Sequence, residues 1–263
     1  MTQIDWYHSY FREPYGEIYA DYLLSPHVTG EEADFARHAI GFGQRDRVLD
    51  CPCGYARHME WYWPTIPGIV GLDLENDCLR RATQALPGAR LVRGDMRTLP
   101  FRSETFDAVL NLFNSFGYFS DAENRQVLCE FARVLKPGGR IMIDVANPAP
   151  LIEVVEDQPR TQQSMGEVLL TEEWDYDASA SILTNRTQFQ IDGRKTERSY
   201  QVILYDRERL ADMLNEEGLR VETVYGEFTG EKFDVDASSR IIVVARKRRT
   251  RRLFPWSRKR TES

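Results

Sequence analysis

Short apolar segments that alternate with helical ones constrain the fold of this 263-residue chain more than any other feature. Strands are predicted over five segments of the first 150 residues: 47–50, 69–73, 90–93, 106–112 and 140–145. The fourth is almost wholly apolar, as expected of a strand buried on both faces. Helices are predicted between them, over 57–63, over 76–86, and from the capping sequence Ser120-Asp121-Ala122-Glu123 to 136–139. Strands separated by helices of this length predict a parallel sheet with helices on both faces.

The pattern changes after Pro150, where apolar and polar residues alternate with a period of two. Antiparallel strands are predicted over three segments, 167–176, 182–191 and 200–205, with a tight turn at Asp192-Gly193. A helix and two strands then return to the first sheet, over 206–217, 219–225 and 240–245. The expected fold class is therefore α/β, a doubly wound, mostly parallel seven-stranded sheet with an antiparallel β insertion.

The first 24 residues are rich in aromatic side chains, which are Trp6, Tyr7, Tyr10, Phe11, Tyr15, Tyr19 and Tyr22. Tyr15, Tyr19 and Tyr22 have helical spacing, so one face of a helix would be aromatic. Such a helix either packs on the core or forms a lid over a ligand. After it, Thr29-Gly30-Glu31-Glu32 is a capping-box sequence and predicts a helix from residue 29 to about Ile40.

The net charge of −7 conceals two oppositely charged parts. From Arg246 onward the chain holds nine Lys/Arg and one acidic residue, a net charge of +8, so residues 1–245 carry −15. An acidic body argues against nucleic acid as the main substrate, because phosphate binding needs a basic surface. The basic tail is interpreted first as a solvated, disordered segment, then as a membrane-surface anchor, and lastly as an RNA contact.

Targeting features are weak in this sequence. No apolar run approaches the ~18–20 residues that a membrane helix needs. The polar, aromatic start at residues 1–10 does not resemble a signal peptide, and four cysteines do not suggest a disulfide scaffold. A cytoplasmic location is therefore expected.

A ligand site is predicted at the loop that follows the first strand, Asp50-Cys51-Pro52-Cys53-Gly54-Tyr55-Ala56-Arg57-His58. In a doubly wound sheet, ligands bind beyond the carboxyl ends of the strands at the switch point beside this strand. The second strand ends at Asp73, which can accept hydrogen bonds from ribose hydroxyls. The G-x-G-x-x-G fingerprint of a dinucleotide site is absent, so the site suits a nucleoside without phosphates.

Five motifs follow one another over roughly residues 45–145: Val48-Leu49-Asp50-Cys51-Pro52-Cys53-Gly54, Gly71-Leu72-Asp73-Leu74, Arg93-Gly94-Asp95-Met96, Phe106-Asp107-Ala108-Val109-Leu110-Asn111 and Leu135-Lys136-Pro137-Gly138-Gly139. In this order and spacing they resemble the class I S-adenosylmethionine (SAM)-dependent methyltransferases. The resemblance implies that the first motif holds the methionine part of SAM, the acid of the second binds the ribose, and the third holds the adenine. It also implies a Rossmann-like methyltransferase fold.

The resemblance implies a cofactor site made of Asp50, Cys51, Cys53, Gly54, Arg57, Asp73, Leu74, Asp95, Met96, Asn111, Phe113 and Tyr19. The first loop departs from the family, whose three usual glycines are replaced here by Pro52, Gly54 and Ala56. Pro52 removes a donor and fixes φ, whereas Ala56 is small enough to keep the approach close. Decayed SAM binding is the alternative interpretation, but the retained acids argue against it. No metal site is expected, because the C-x-C sequence lacks a second pair at ligand spacing.

Residues 111–119 follow the fourth strand, where they face both cofactor and acceptor. They lack the Asn-Pro-Pro-Tyr form of enzymes that methylate amino groups of adenine or glutamine. Together with 225–228 and 239–247, they resemble bacterial small-molecule methyltransferases instead. Candidate acceptor contacts are Asn111, Phe113, Tyr118, Tyr15 and Tyr19. The catalytic candidates are Asn111, Tyr15 and His8, and a base role for His58 is weaker than a packing role; no base is assigned.

The resulting hypothesis is transfer of a methyl group from SAM to a nitrogen or oxygen of a small molecule by in-line displacement. Two alternatives remain: an enzyme acting on a peptide or tRNA with help from the tail, and a SAM-binding regulatory module without turnover. The oligomeric state is not specified by the sequence. The chain is divided into a helical lid, a SAM-binding core, a β insertion covering the acceptor site, a part completing the core sheet, and a basic tail, at 1–28, 29–150, 151–205, 206–247 and 248–263.

Overall fold

A computed structural model of the chain describes residues 6–12 and 26–249. The helices of this part are α1 (Tyr7–Tyr10), α2 (Pro26–Ile40), α3 (Arg57–Tyr62), α4 (Asn76–Ala85), α5 (Asp121–Val134), α6 (Pro148–Asp157) and α7 (Arg207–Glu216). The strands are β1 (Val48–Asp50), β2 (Ile69–Asp73), β3 (Arg90–Arg93), β4 (Phe106–Asn111), β5 (Leu135–Ala146), β6 (Arg160–Met165), β7 (Val168–Asp177), β8 (Ile182–Ile191), β9 (Arg194–Ile203), β10 (Leu219–Tyr225) and β11 (Arg240–Lys247).

The main sheet has seven strands in the order β10-β11-β5-β4-β1-β2-β3. The five strands from β5 to β3 are parallel, and β11 and β10 add an antiparallel edge. The chain runs outward from β1 to β3 and then crosses back to β4, so the direction of winding reverses between β1 and β4. This reversal is the switch point at which ligands bind in doubly wound sheets. The predicted fold class is confirmed.

The central strands form because their sequences are apolar on both faces. All three residues of β1 are buried, as are five of the six in β4, and helices pack on either side of them. The predicted capping box of α5 is present: Ser120 Oγ accepts from the Glu123 amide, and the Glu123 carboxylate accepts from the Ser120 amide. The packing of these helices and strands fixes the positions of the last residues of β1, β2 and β4.

The insertion is a second, four-stranded antiparallel sheet in the order β6-β7-β8-β9. The predicted turn is correct, with positive φ at Asp192 (49°) and Gly193 (75°), as a two-residue hairpin turn requires. The predicted third strand, 200–205, was placed too late, because β9 begins at Arg194. Strand β6 and helix α6 were not predicted. The missed strand segments, 160–165 and 194–199, are polar edge sequences, so they carry little apolar alternation.

The capping-box prediction at residues 29–32 is wrong. Helix α2 already begins at Pro26, and Thr29 and Glu32 lie inside it as buried residues. Their side chains contact Arg57, since Arg57 Nη1 lies 2.9 Å from Thr29 Oγ1 and 2.5 Å from Glu32 Oε2. Thr29 and Glu32, which indicated a helix start, therefore bind Arg57 of the loop after β1.

The N-terminal helix predicted from Tyr15, Tyr19 and Tyr22 lies outside the described residues, as does the tail from residue 250 onward. The described segment 6–12 is nevertheless part of the core, because Trp6, Tyr7 and Tyr10 are buried. Trp6 contacts Tyr118 of the loop after β4 and Tyr200 of β9, with ring centroids 5.0 and 5.7 Å apart. This segment therefore joins the two sheets.

Candidate active site

The loop after β1 turns sharply between the strand and α3. The Cys51–Pro52 peptide bond is cis, and both Gly54 (φ 53°) and Ala56 (φ 64°) are left-handed. A Cβ on Gly54 would meet no atom within 4 Å, so this position faces open space, whereas Ala56 is fully buried at the start of α3. The loop thus keeps the close turn of a glycine-rich loop with an alanine where a left-handed residue is needed.

Asp73, the last residue of β2, is held by the loop that it faces. Its Oδ2 accepts from the Gly54 amide and its Oδ1 accepts from the Glu75 amide, both at 2.8 Å. Burial raises the pKa of Asp73 to about 6, although the two amide hydrogen bonds favour the carboxylate. A carboxylate oxygen can accept more than one hydrogen bond, so Asp73 retains capacity for a ligand hydroxyl.

Three polar atoms near this loop are buried without a hydrogen-bond partner among the described residues: Asp50 Oδ2, Asn111 Oδ1 and Arg57 Nη2. Asp50 and Asn111 end the neighbouring strands β1 and β4, and Asn111 Nδ2 donates to the Cys51 carbonyl at 2.8 Å. Burial raises the pKa of Asp50 to about 7 against the opposing charge of Arg57. Buried polar atoms in native proteins nearly always have partners, so this group suits a ligand that carries both an ammonium and a carboxylate.

Arg57 is anchored on its far side by α2. Glu32 Oε2 accepts from Arg57 Nη1 and lies 2.9 Å from His58 Nε2. Burial alone would raise the pKa of Glu32, but hydrogen bonding to His58 and the charge of Arg57 bring it below its usual value. Burial lowers the pKa of His58, which favours the neutral ring. Glu32 therefore fixes the orientation of two residues of the loop.

A cavity opens between the loop and the ends of β2, β3 and β4. Eight of the expected cofactor residues line it: Cys53, Gly54, Arg57, Asp73, Leu74, Asp95, Met96 and Phe113. Asp50, Cys51 and Asn111 lie beneath it as buried residues rather than in its wall. Tyr15 and Tyr19 are outside the described residues, as is the side chain of His8.

The wall of this cofactor cavity also contains residues outside the expected cofactor set, some of them from the predicted loop and motifs and others from elsewhere in the chain. They are Tyr7, Phe11, Pro52, Tyr55, His58, Leu72, Glu75, Cys78, Gly94, Leu112, Ser115, Tyr118 and Phe119. Several are aromatic residues brought in from the chain start and from the loop after β4. Their positions depend on packing between distant segments, although the aromatic content of residues 6–11 was a visible sign.

Asp95 follows β3 and is locked by its neighbour in sequence. Arg97 donates to both carboxylate oxygens of Asp95, through Nη2 to Oδ2 at 2.7 Å and through Nε to Oδ1 at 3.2 Å, and also to Glu123. The same guanidinium lies over the ring of Phe119, 4.3 Å from its centroid. The Asp95 carboxylate is thus rigidly oriented at the edge of the cavity.

The loop after β4 begins with an unusual backbone. Phe113 (φ 61°) and Asn114 (φ 55°) are consecutive left-handed residues, a conformation that side chains disfavour. Asp144 of β5 holds them: its Oδ2 accepts from the Phe113 amide at 2.7 Å and its carbonyl accepts from the Asn114 amide at 3.1 Å. Arg240 pairs with both oxygens of Asp144, which is completely buried.

The Phe113 ring lies between two guanidinium groups. The Arg57 guanidinium carbon is 4.5 Å from the ring centroid and that of Arg240 is 5.9 Å away. Phe113 contributes to the wall of the cofactor cavity and also to that of a second cavity next to it. The sequence did not indicate Asp144 or Arg240, but an aspartate inside the apolar strand 140–145 was the available sign.

The second cavity lies between the main sheet and the inner face of the insertion sheet. Its wall consists of Trp6, Tyr10, Phe11, Phe113, Asn114, Phe116, Tyr118, Val145, Ala146, Leu151, Trp174, Leu183, Tyr200, Val202, Ile203, Leu204 and Tyr205. Phe11, Phe113 and Tyr118 belong to both cavities, so the two meet at these three rings. The predicted acceptor contacts Phe113 and Tyr118 are therefore at the junction.

Cys51 and Cys53 are free and buried, and burial raises the pKa of both thiols. Within residues 6–12 and 26–249, no group of three His, Cys, Asp or Glu residues is arranged to hold a metal ion. The helices of the same part include none that is long and apolar enough to cross a membrane.

Comparison with known proteins shows similarity to methyltransferases. Residues 48–139 match the family model described as a methyltransferase domain. The dTDP-3-amino-3,4,6-trideoxy-alpha-D-glucopyranose N,N-dimethyltransferase of Streptomyces venezuelae is 35% identical over 98 residues, which are 37% of this chain and 41% of that protein. The fatty-acid O-methyltransferase of Mycolicibacterium smegmatis is 35% identical over 128 residues, 46% of this chain and 42% of that protein. The match spans about two fifths of the length of these relatives.

Solved structures extend the likeness to almost the whole fold. The CcbJ methyltransferase from Streptomyces caelestis has a TM-score of 0.77 at 17% identity, over 92% of this chain and 99% of that one. SAM-bound CalS10, an amino pentose methyltransferase from Micromonospora echinaspora, has a TM-score of 0.64 at 22% identity, over 90% of this chain and 97% of that one. The chain therefore has the fold of these methyltransferases, and its residues 48–139 match the methyltransferase domain model.

Proposed function

We propose that this protein transfers a methyl group from SAM to a nitrogen or oxygen of a small molecule by in-line displacement. The observation that carries the proposal is the group of buried polar atoms without described partners, Asp50 Oδ2, Asn111 Oδ1 and Arg57 Nη2, at the switch point of a methyltransferase fold. When bound, SAM supplies an electrophilic methyl group on a sulfonium. The remaining chemistry is alignment and exclusion of water by the protein.

The group fits the amino-acid end of SAM. Asp50 and Asn111 provide the acceptors that an ammonium needs, and Arg57 provides the donor that a carboxylate needs. Asp73 accepts ribose hydroxyls while Gly54 and Glu75 hold its carboxylate. Asp95, Met96 and Leu74 form the adenine end of the same cavity. Cys51 and Cys53 belong to the turn after β1; Cys53 lines the cavity, and Cys51 is buried behind its wall.

The acceptor occupies the second cavity, which reaches the cofactor cavity at Phe11, Phe113 and Tyr118. Phe113 separates the two and directs the acceptor toward the methyl group, since Asp144 fixes its backbone. Asn111 Nδ2 is already bonded to the Cys51 carbonyl, so its Oδ1 is the atom that can accept from the ammonium, and Asn111 is not assigned a step in the methyl transfer. His58 lines the cofactor cavity, is bound to Glu32, and is not part of the second cavity's described wall, which argues against its acting as a base.

Substrates in the named relatives support a small acceptor. One relative is named as a sugar dimethyltransferase, another as a fatty-acid methyltransferase, and the solved structure of KedS8 from a Streptoalloteichus species is named as a sugar N-methyltransferase. The aromatic wall of the cavity, whose described part offers no basic side chain for a phosphate, and the acidic body, −15 over residues 1–245, both disfavour a tRNA acceptor.

Calorimetric titration with SAM tests the cofactor assignment, and Asp73→Asn tests the ribose contact. We expect wild-type binding, with weakening of at least about tenfold in the variant, because a hydrogen bond to a charged acceptor contributes about 1.5–3 kcal/mol. Absence of binding at millimolar SAM contradicts both an enzyme and a regulatory SAM module. Binding without methyl transfer to any extract component supports the regulatory module instead.

A further inference from the structure

The second cavity contains a cluster of aromatic rings that we call the aromatic box, formed by Trp6, Tyr10, Tyr118, Trp174 and Tyr200. Trp6 is central, with its ring 5.9 Å from Tyr10, 5.0 Å from Tyr118 and 5.7 Å from Tyr200. Tyr200 in turn lies 4.9 Å from Tyr10 and 6.1 Å from Trp174. These rings come from the chain start, the loop after β4, and strands β7 and β9, so the complete box requires the whole fold.

No charged side chain occurs in the described wall of this cavity. Burial raises the pKa of Tyr118 and Tyr200, so both phenols stay protonated and neutral at ordinary pH. The wall therefore consists mainly of aromatic and apolar side chains, and aromatic rings attract cations through the negative quadrupole of their faces, while no positive charge in the described wall would select a carboxylate or a phosphate.

The carboxyl group of Glu172 lies beside the box on the same face of the insertion sheet, and burial raises its pKa. Glu172 is two residues before Trp174 on β7 and accepts a 3.5 Å hydrogen bond from Asn185 Nδ2. Thr187 donates to Asn185 Oδ1, so the proton in the 3.4 Å Tyr10–Thr187 contact comes from Tyr10. The Tyr10 hydroxyl thus directs its proton toward the sheet, which makes its oxygen an acceptor.

Two further polar atoms of the cavity wall are buried and have no hydrogen-bond partner among the described residues. They are Trp6 Nε1, on a side chain that is 7% exposed, and Asn114 Oδ1. Asn114 belongs to the left-handed pair held by Asp144, so its placement is fixed by the fold. An N–H of an acceptor can donate to Asn114 Oδ1, and an oxygen of the same molecule can accept from Trp6.

We infer that the acceptor is an amine, and that the aromatic box holds the ammonium that methylation produces. This inference rests on the proposed function. The amine lone pair forms the new N–C bond while the C–S bond breaks and its electron pair returns to sulfur. The positive charge thereby passes from the sulfonium in the first cavity to nitrogen in the second, where the rings stabilise it. A hydroxyl acceptor would need a base to remove its proton, and the described wall contains no carboxylate, imidazole or lysine.

The experiment compares two probes of equal shape, choline and 3,3-dimethylbutan-1-ol, which differ in having a quaternary nitrogen or a neutral carbon. Binding to the full-length protein is measured by calorimetry with and without saturating S-adenosylhomocysteine. We expect choline to bind about tenfold more tightly, the ratio that corresponds to a buried cation–π contribution of about 1.4 kcal/mol. Equal binding of the two probes, or tighter binding of the neutral one, overturns the inference.

Two substitutions at the partly exposed Trp174 provide matched controls. Trp174→Phe keeps a π face and retains most of the choline preference, whereas Trp174→Leu removes most of it. Titration of the same samples with S-adenosylhomocysteine shows that the variants are folded and tests the cofactor assignment separately. If the nucleoside fails to bind while choline is preferred, the proposed function fails and the cation site stands. If the nucleoside binds and Trp174→Leu leaves the preference unchanged, the aromatic box is refuted.

Discussion

Replacing Asp50 by asparagine is expected to stabilise the free protein and to weaken its binding of SAM. Asp50 is completely buried, and its pKa is raised from 3.8 to about 7 because burial disfavours the charged form. An acid whose folded pKa is raised stabilises the fold below its unfolded pKa and loses that contribution as pH rises through the folded value. The wild-type protein therefore carries a growing penalty between about pH 4 and pH 7.

The size of the effect follows from the two pKa values. A pKa difference of about 3 corresponds to a penalty of about 4 kcal/mol at pH 8, at 1.36 kcal/mol per pH unit. About 2–3 kcal/mol of this penalty accumulates between pH 5 and pH 8. Asparagine does not titrate, so the stability advantage of Asp50→Asn should increase by about that amount over this interval. The assay is urea unfolding at several pH values without SAM, with the same substitution at the exposed Asp212, Asp212→Asn, measured alongside for comparison.

SAM binding should change in the opposite direction. The Asp50 carboxylate is proposed to accept from the ammonium of SAM, so calorimetry should show weaker binding in Asp50→Asn and proton release on binding to the wild type near pH 6–7. A stability advantage that is independent of pH, or unchanged SAM affinity, would refute the assignment of Asp50 as a buried, titrating partner of the cofactor.

Substitutions at three further positions test other parts of the site. Arg57→Leu should weaken SAM binding in calorimetry by about 10- to 100-fold, and Arg57→Lys should restore part of it; equal affinities would count against the carboxylate contact. Asp144→Asn should lower the free energy of unfolding in urea by about 3–5 kcal/mol, because Arg240 is left buried without its counter-charge, and should reduce kcat more than SAM affinity. Gly71→Ala should destabilise the fold by about 1–3 kcal/mol in the same assay, because the new Cβ would lie 2.5 Å from Met59 Sδ. Unchanged stability would show that the neighbouring side chains can move aside at no cost.

The main sheet could be predicted because its strands are apolar on both faces and its helices have clear boundaries. Strands ending at Asp50, Asp73 and Asn111 were placed within a residue or two of their observed ends, which was enough to identify the switch point. The segments that were missed or misplaced, β6 and the start of β9, are polar. They form strands because they pair with a neighbouring strand, and they lack the alternation of apolar and polar residues that would have predicted them. The sequence around Thr29 led to the wrong helix start, because its polar residues bind Arg57 instead of capping a helix.

The candidate site was predictable where each of its parts lies within one short sequence motif. The loop after β1 and the carboxylate of Asp73 are local features, and their hydrogen bond at 2.8 Å joins two motifs that the sequence already ordered. The aromatic box was not predictable, because Trp6, Trp174 and Tyr200 meet only when the insertion sheet folds over the loop after β4. Asp144 and Arg240 belong to the same category, since each lies in a strand whose pairing brings them together.

The most direct test of the account follows a labelled methyl group. Full-length protein is incubated with SAM carrying a labelled methyl group and a cell extract, and the products are separated by size and then by charge. The account predicts label in a small molecule that is retained by a cation exchanger, with transfer greatly reduced in Arg57→Leu. Label found in protein or RNA, label in an uncharged small product, or no transfer despite SAM binding would each contradict it.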